Sequence, residues 1–293
     1  MSITANQVKE LRERTGAGMM ECKKALEATG GDMEAAIDKM RKEGMAKADK
    51  KAGRVAAEGT VAIAVAADGK SAALLELNSE TDFVANGDEF RAWAQATANA
   101  AIAGRITDIE ALGNADIGGI TADNRRREMI AKIGENMTLR RAAILDSAER
   151  IGSYIHDGKI GVVVAMTGGN DQVARDVAVH VAANNPVCVD ASGVPAELIA
   201  KEKEIFVAQG MESGKPREIV EKMVDGRVKK YIAEIALTGQ AFVKNPDITV
   251  EKLLKDAGAT VTGFVRFAVG EGIEKQVVDF AEEVKAQAAA AAK

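Results

Sequence analysis

The stretch "ADGKSAALLELNSETDFVANGDEFRAWAQATANAA", Ala67 to Ala101, decides how this chain is read. It opens on Asp68-Gly69-Lys70, a turn of the kind that joins two antiparallel strands. Leu75 and Leu77 follow at strand spacing, and Phe90, Trp93, Ala94 and Thr97 then fall at helical spacing. Upstream, Val61, Ile63 and Val65 alternate with small residues as an outgoing strand should. Strand, turn, strand and helix predict an α+β unit. Between the returning strand and the helix stands Phe83, surrounded by Asn, Ser, Glu, Thr, Asp and Gly. With seven Phe, two Tyr and one Trp in 293 residues, an aromatic in such a place needs a reason.

The same order recurs about 89 residues on, in "HDGKIGVVVAMTGGNDQVARDVAVHVAANNP" from His156 to Pro186. Asp-Gly-Lys, an apolar strand, a polar break and an Ala-rich helix all return. Two related α+β subdomains with antiparallel sheets are therefore expected, over residues 56–149 and 150–273. The second copy has no aromatic at its break, so the fold does not require one there.

Ahead of these lies a helical region. Thr4 precedes Val8 and Leu11 at helical spacing, and "TGAG" from Thr15 to Gly18 ends that helix. A second helix runs from about Met19 to Thr29, closed by Gly30 and Gly31. Asp32 is a good N-cap for a third, which carries Met33, Ile37 and Met40 on one stripe and stops at Gly44. "MAKADKKAGRVAA" over residues 45–57 reads as a linker. Residues 1–55 thus form an N-terminal helical domain with its linker, of a size at which independent stability is marginal.

Between the copies, a helix from Thr121 to Gly134 leads into a strand with Leu139 and Ile144. Residues 195–236 read as two amphipathic helices joined at "SGKP", an antiparallel hairpin inserted in the second subdomain as a short coiled coil, with Pro216 suited to a first helical turn. A helix at Val250 to Ala257 and a strand at Val261 to Val269 return the chain to its sheet. An Ala-rich helix over 274–293 ends it.

Chemistry is what the sequence lacks. A net charge of −5 and a pI near 5.4 argue against general nucleic-acid binding, which needs Lys and Arg to neutralise phosphates. The run Arg125, Arg126 and Arg127 reads as a solvated helix face. No 18-residue apolar run exists and the N-terminus is a polar helical pattern, so neither membrane nor export is expected and the protein should be cytoplasmic. Cys22 and Cys188 have no CxxC spacing and read as free core thiols, and His156 and His180 complete no zinc pattern. No P-loop and no nucleophile elbow is present. His180 reads as a satisfied core residue. No metal, no cofactor and no catalytic residues are expected.

Apolar side chains in odd places remain. Met19 and Met20 are adjacent, so a helix can bury only one of them well. Phe83 has polar neighbours, and the helix after it already supplies Phe90 and Trp93 for packing.

At these positions the chain resembles the bacterial translation elongation factor Ts family, nucleotide-exchange factors of the GTPase elongation factor Tu. The resemblance rests on "VKELRERTGAGMMECKKAL" (Val8–Leu26), "TDFVA" (Thr81–Ala85), "KIGEN" (Lys132–Asn136), "VHVAA" (Val179–Ala183), "SGKP" (Ser213–Pro216), "LTGQAFV" (Leu237–Val243) and "VTGFVRFAVGEGIEK" (Val261–Lys275), in the family's order. It implies that the N-terminal domain is like a ubiquitin-associated (UBA) helical bundle. It implies that Thr81, Asp82, Phe83 and Val84 displace magnesium from the partner by wedging an aromatic between helices of the GTPase. Arg12, Met19 and Met20 match partner-binding positions, as do Ile133, Gly134 and His156. Where other members carry a Lys-His pair, this chain has Arg175 and Asp176, so the contact at that second position is not carried over. Asp82 is expected to hold the motif by hydrogen bonds at the start of the following helix. A translation protein associated with RNA or the ribosome is the alternative reading. A homodimer and a two-plus-two complex with the GTPase both stay open.

Overall fold

Three helices open the chain, α1 (Ala5–Thr15), α2 (Met19–Ala28) and α3 (Met33–Lys51), in a computed structural model that describes residues 3–212 and 217–274. Thr4 starts α1 with a capping box, its hydroxyl taking the Gln7 amide while the Gln7 side chain takes the Thr4 amide. Gly16 ends α1 at φ 67°, and Asp32 caps α3 by accepting from the Ala35 amide. Leu11, Cys22, Ala25, Leu26 and Ala36 are the bundle's core, with Met33, Ile37 and Met40 packed on it.

Two expectations fail here. Gly44 does not stop α3, which continues to Lys51, so residues 45–51 are helix and not linker. The cause is tertiary, since α3 passes close to α7 (Ala122–Ile133). A methyl on Gly44 would lie 3.0 Å from Ala131 Cβ, and Ala48 is buried in one core with Met129 and Ile130. Packing overrides the low helix propensity of glycine. Nor do Arg126 and Arg127 form a solvated face, although Arg125 does face water and pairs with Glu128 at 3.3 Å. Arg126 and Arg127 both grip Asp123, at 2.6 and 2.7 Å, and Arg127 also reaches Asp49 of α3 at 3.6 Å. They brace the first turn of α7, where a carboxylate also suits the helix dipole.

A first sheet follows, β1 (Glu58–Val65), β2 (Ser71–Ser79) and β3 (Met137–Asp146), antiparallel in that order. Between β2 and β3 run α4 (Asp82–Asn86), α5 (Asp88–Gly104), α6 (Ile109–Gly113) and α7. Helix α5 covers the sheet, burying Phe90, Trp93, Ala94, Ala98 and Ala101 with Leu75 and Leu77. The Phe90 and Trp93 rings meet edge to face, 5.4 Å apart. In the second sheet, β4 (Arg150–His156), β5 (Ile160–Gly168) and β8 (Ala259–Ala268) are ordered β4-β5-β8, and α8 (Asp171–Asn184) packs on it. Each middle strand is followed by the covering helix. Each also faces a bulge in the strand that pairs with it, Arg140 being the extra residue of β3 opposite the Glu76–Leu77 step and Thr262 that of β8 opposite the Ala165–Met166 step. The sheets meet through Val61, Ala72, Leu74, Val163 and Phe267.

Helices α9 (Ala196–Glu212) and α10 (Arg217–Ile235) lie side by side around Val220, Val224 and Val228. They run antiparallel, because Gly210 faces Val220 while Lys203 pairs with Asp225 farther along. A small hairpin not expected from the sequence, β6 (Ala241–Phe242) and β7 (Asn245–Thr249), precedes α11 (Val250–Asp256). The Ser213–Pro216 turn lies outside the described residues. So does the expected terminal helix beyond Glu274. The fold is α+β, built of N-terminal helices, small antiparallel sheets and further helices. Cys22 is buried, whereas Cys188 is only half-buried, its thiol donating to the Asp190 carbonyl at 3.1 Å, so just one of the two is a core thiol.

Candidate functional site

Phe83 is 87% exposed. It sits on the single turn of α4, whose next two residues, Val84 and Ala85, are buried and anchor the turn to the sheet. Gly87 ends α4 and begins α5 with extended backbone, so the two helices are separate and Phe83 escapes the face that buries Phe90 and Trp93. The expectation that Asp82 holds this helix start is corrected. Thr81 is the cap, accepting from the Val84 amide, while Asp82 is exposed in the first turn. The β-region backbone of Thr81 suits an N-cap and aims its hydroxyl back at the turn.

Every polar group of Thr81 is engaged. Its amide and hydroxyl donate to the Glu135 carboxylate at 3.1 and 2.9 Å, and its carbonyl accepts from Ser79 Oγ at 2.8 Å. Glu135 stands just past Gly134, which closes α7 in the left-handed region at φ 91°. Ile133, 40% exposed, and Gly134 are therefore brought beside the Phe83 turn. The Lys51 ammonium donates to the Gly134 carbonyl, and Lys132 pairs with Glu89 of α5 at 2.7 Å.

Met19 and Met20 are 59% and 65% exposed, so neither is buried, against the expectation that one would be. The reason lies in the bundle: Cys22, Ala25 and Leu26 already fill the inner face of α2, leaving its first turn free. Arg12 is exposed at the end of α1. The intervening turn lies near α7, with a methyl on Gly16 3.7 Å from the Lys132 side chain.

His156 lies apart from these, exposed at the end of β4, with Nδ1 3.0 Å from the Tyr154 hydroxyl. Its neighbours Asp157 and Gly158 line a cleft of about 490 Å³ with Arg91, and Arg91 donates to Asn86 of α4 at 2.9 Å. Among the described residues no group of three or more His, Cys, Asp or Glu could hold a metal ion, and no helix is long and apolar enough to cross a membrane.

A family model described as Elongation factor TS matches residues 80–271. Elongation factor Ts of Methylococcus capsulatus is 59% identical over 289 residues, 98% of this chain and 99% of the relative. That of Idiomarina loihiensis is 56% identical over 293 residues, the whole of both chains. The chain belongs to the elongation factor Ts family. It is a nucleotide exchange factor for elongation factor Tu in translation elongation, acting on a partner protein and not as a catalytic enzyme.

Within this member of the family, Arg175 lies over the Tyr154 ring at 6.0 Å, and Asp176 is held by Gln172 and Lys244 at 2.6 and 2.7 Å. Both thus have internal partners. His180 is fully buried and bonded, as expected of a core histidine. The residues that sequence reasoning missed are Glu80, Glu135 and Asn136. The only signal was membership of "KIGEN" for Glu135 and Asn136 and a place just ahead of "TDFVA" for Glu80, because a carboxylate 54 positions from its threonine leaves no periodic trace.

Proposed function

We propose that the chain accelerates GDP release by inserting the Phe83 ring between helices of elongation factor Tu, so that magnesium and then nucleotide lose their seat and GTP can rebind. The exposure of Phe83 on a turn rooted by Thr81 carries this reading. In it Thr81, Asp82, Phe83 and Val84 form the wedge, while Arg12, Met19, Met20, Ile133, Gly134 and His156 supply grip. An exchange factor binds the empty GTPase better than the loaded one, and nucleotide must weaken the factor by the same ratio. No proton transfer is required.

Burying one Phe is worth about 1.5–3 kcal/mol, and at about 1.36 kcal/mol per tenfold the ring supplies roughly 10- to 150-fold at most. Grip elsewhere must provide the remainder. In the same reading residues 1–55 are a UBA-like domain with its connector, residues 56–149 and 150–273 are related subdomains, α9 and α10 are a short coiled coil, and the working compartment is the cytoplasm. The matching strand order and bulge positions of the two sheets support the kinship.

Phe83→Ala tests the wedge. Release of labelled GDP from elongation factor Tu should slow by about tenfold or more while affinity for the empty GTPase is largely kept. Equal loss of both would reduce Phe83 to plain adhesion.

A further inference from the structure

We propose that Glu135, with Asn136 and Glu80, is a positioning latch for nucleotide exchange, fixing the Phe83 turn to the connector that leaves the N-terminal helices. The inference rests on the reading of Phe83 as a wedge and adds what holds the wedge still.

A five-residue helix cannot hold its own geometry in water. Something outside it must. Glu135 takes both donors of Thr81 on one carboxylate, and this leaves the Thr81 oxygen free to cap Val84. The next residue, Asn136, is 1% exposed, and its side-chain amide donates to the Arg54 carbonyl at 2.7 Å and the Ala52 carbonyl at 3.4 Å. Its backbone amide donates to Glu80 at 2.6 Å, and Glu80 also meets the Arg54 guanidinium at 3.5 Å. One carboxylate on each side of Thr81 thus ties three segments together: the wedge, the end of α7 and residues 51–54. Force borne by the N-terminal helices reaches the Phe83 turn through hydrogen bonds and not through a slack chain.

The second sheet supplies an internal control. Ser79 pairs with Met137 at the end of one ladder, and Gly168 pairs with Ala259 at the end of the other. By that register, Glu80-Thr81 and Glu135-Asn136 fall opposite Gly169-Asn170 and Ala257-Gly258. There Asn170 caps its helix by accepting from Val173 at 3.0 Å, and neither carboxylate has a counterpart at the matching position. Acids do reach this junction, Glu149 on the Gly168 amide at 2.8 Å and Asp171 on Arg150 at 2.7 Å, but the cap itself forms with no carboxylate on it. The latch occurs where the exposed ring occurs, which ties it to the ring's work. A group meant to force a change in a partner has to be stiffer than what it displaces, and stiffness of this kind comes from locked supporting hydrogen bonds.

The test measures stimulated GDP release against factor concentration for Glu135→Ala and the isosteric Glu135→Gln, alone and combined with Phe83→Ala. The maximal rate should fall about tenfold in Glu135→Ala, with the half-saturating concentration changed less than about threefold, and less in Glu135→Gln, which keeps one acceptor. On a Phe83→Ala background the substitution should do nothing further, since a mount without a ring has no work. Amide exchange at Thr81 and Val84 should quicken in Glu135→Gln while thermal unfolding stays in place, which separates loosened positioning from failure to fold. Additive losses in the double variant, or a loss confined to half-saturation, would overturn the latch. If Phe83→Ala itself leaves release unchanged, the wedge reading falls instead; if it slows release while Glu135→Ala does not, only the latch falls.

Discussion

Glu76 and Arg141 face each other across the β2–β3 ladder, Oε2 and Nε 2.6 Å apart, with the carboxylate fully buried. The bulge opposite Leu77 brings the preceding residue round as well, so Arg140 reaches the other oxygen at 2.7 Å. The Gly270 amide donates to the same carboxylate, and Arg141 also stacks on Phe267, so the knot binds the first sheet to the chain leaving β8. Burial works hardest against its charge. Even so, Gly270, Arg140, Arg141 and Asn78 together hold the Glu76 carboxyl below its ordinary 4.5. Glu76→Gln should destabilise the chain at neutral pH by about 3 kcal/mol, as for a broken buried pair whose cations keep some water.

The same residue fixes a sign. A carboxyl with a depressed folded value stabilises fully above its unfolded value, and that stability is lost as pH falls through the folded one. Denaturant titrations followed by the fluorescence of Trp93 should therefore show the gap between wild type and Glu76→Gln narrowing below about pH 4.5. A gap constant with pH would mean the charge of Glu76 contributes nothing.

Gly161 on β5 lies where the sheets meet, and a methyl there would come within 2.6 Å of Leu74 Cδ1 and 3.1 Å of Val61 Cγ2. Leu74 is fully buried and has nowhere to retreat. Gly161→Ala should cost about 1–3 kcal/mol, as overpacking does. Adding Leu74→Val, which withdraws the obstructing methyl, should return part of that loss in thermal unfolding. No recovery would show the sheets are not locked at this point.

His180 has one tautomer open to it. Its Nδ1 accepts from the Val243 amide at 3.1 Å, so the proton is on Nε2, donated to Gln240 Oε1 at 2.9 Å. Gln240 is oriented in turn by giving its Nε2 proton to the Glu234 carbonyl. Burial pushes the imidazole below its ordinary 6.5, with the Gln240 bond opposing in part. Stability from the neutral ring is present above the unfolded value and is lost as pH falls through the folded one. Ring ¹⁵N spectra should show the Nε2–H form with a midpoint below 6.5. A midpoint above that would contradict the geometry.

How far the sequence reached follows from what kind of cause was at work. Local causes were legible: turn chemistry placed the β1–β2 hairpin, and Thr4, Asp32 and Thr121 marked helix starts. Phe83 could be predicted exposed because its own neighbours were polar. Gly44 misled because its reason is Ala131, on another helix, and Arg126 and Arg127 misled because Asp123 and Asp49 draw them inward. Asp82 was favoured as a cap, although the cap was the threonine before it. Glu76 and Glu135 are the hardest kind. Each is one acid among 44, distinguished only by which distant donors the fold brings to it.

Met19 and Met20 offer a last separation, between grip and wedge. Both are more than half exposed on the first turn of α2, clear of the bundle core, so truncating either removes little that the free chain needs. Met is pliant and suits a surface that must fit a partner. Met20→Ala should leave thermal unfolding within about 0.5 kcal/mol of wild type. It should weaken complex formation with elongation factor Tu while the maximal rate of GDP release at saturating factor stays near wild type. That is the reverse of the pattern expected for Phe83→Ala, where the rate falls and affinity is largely kept. Titration calorimetry against nucleotide-free elongation factor Tu, with stopped-flow release at saturation, reads both quantities. Unchanged affinity for Met20→Ala and Met19→Ala alike would remove the N-terminal helices from the grip and leave the exposed methionines unexplained.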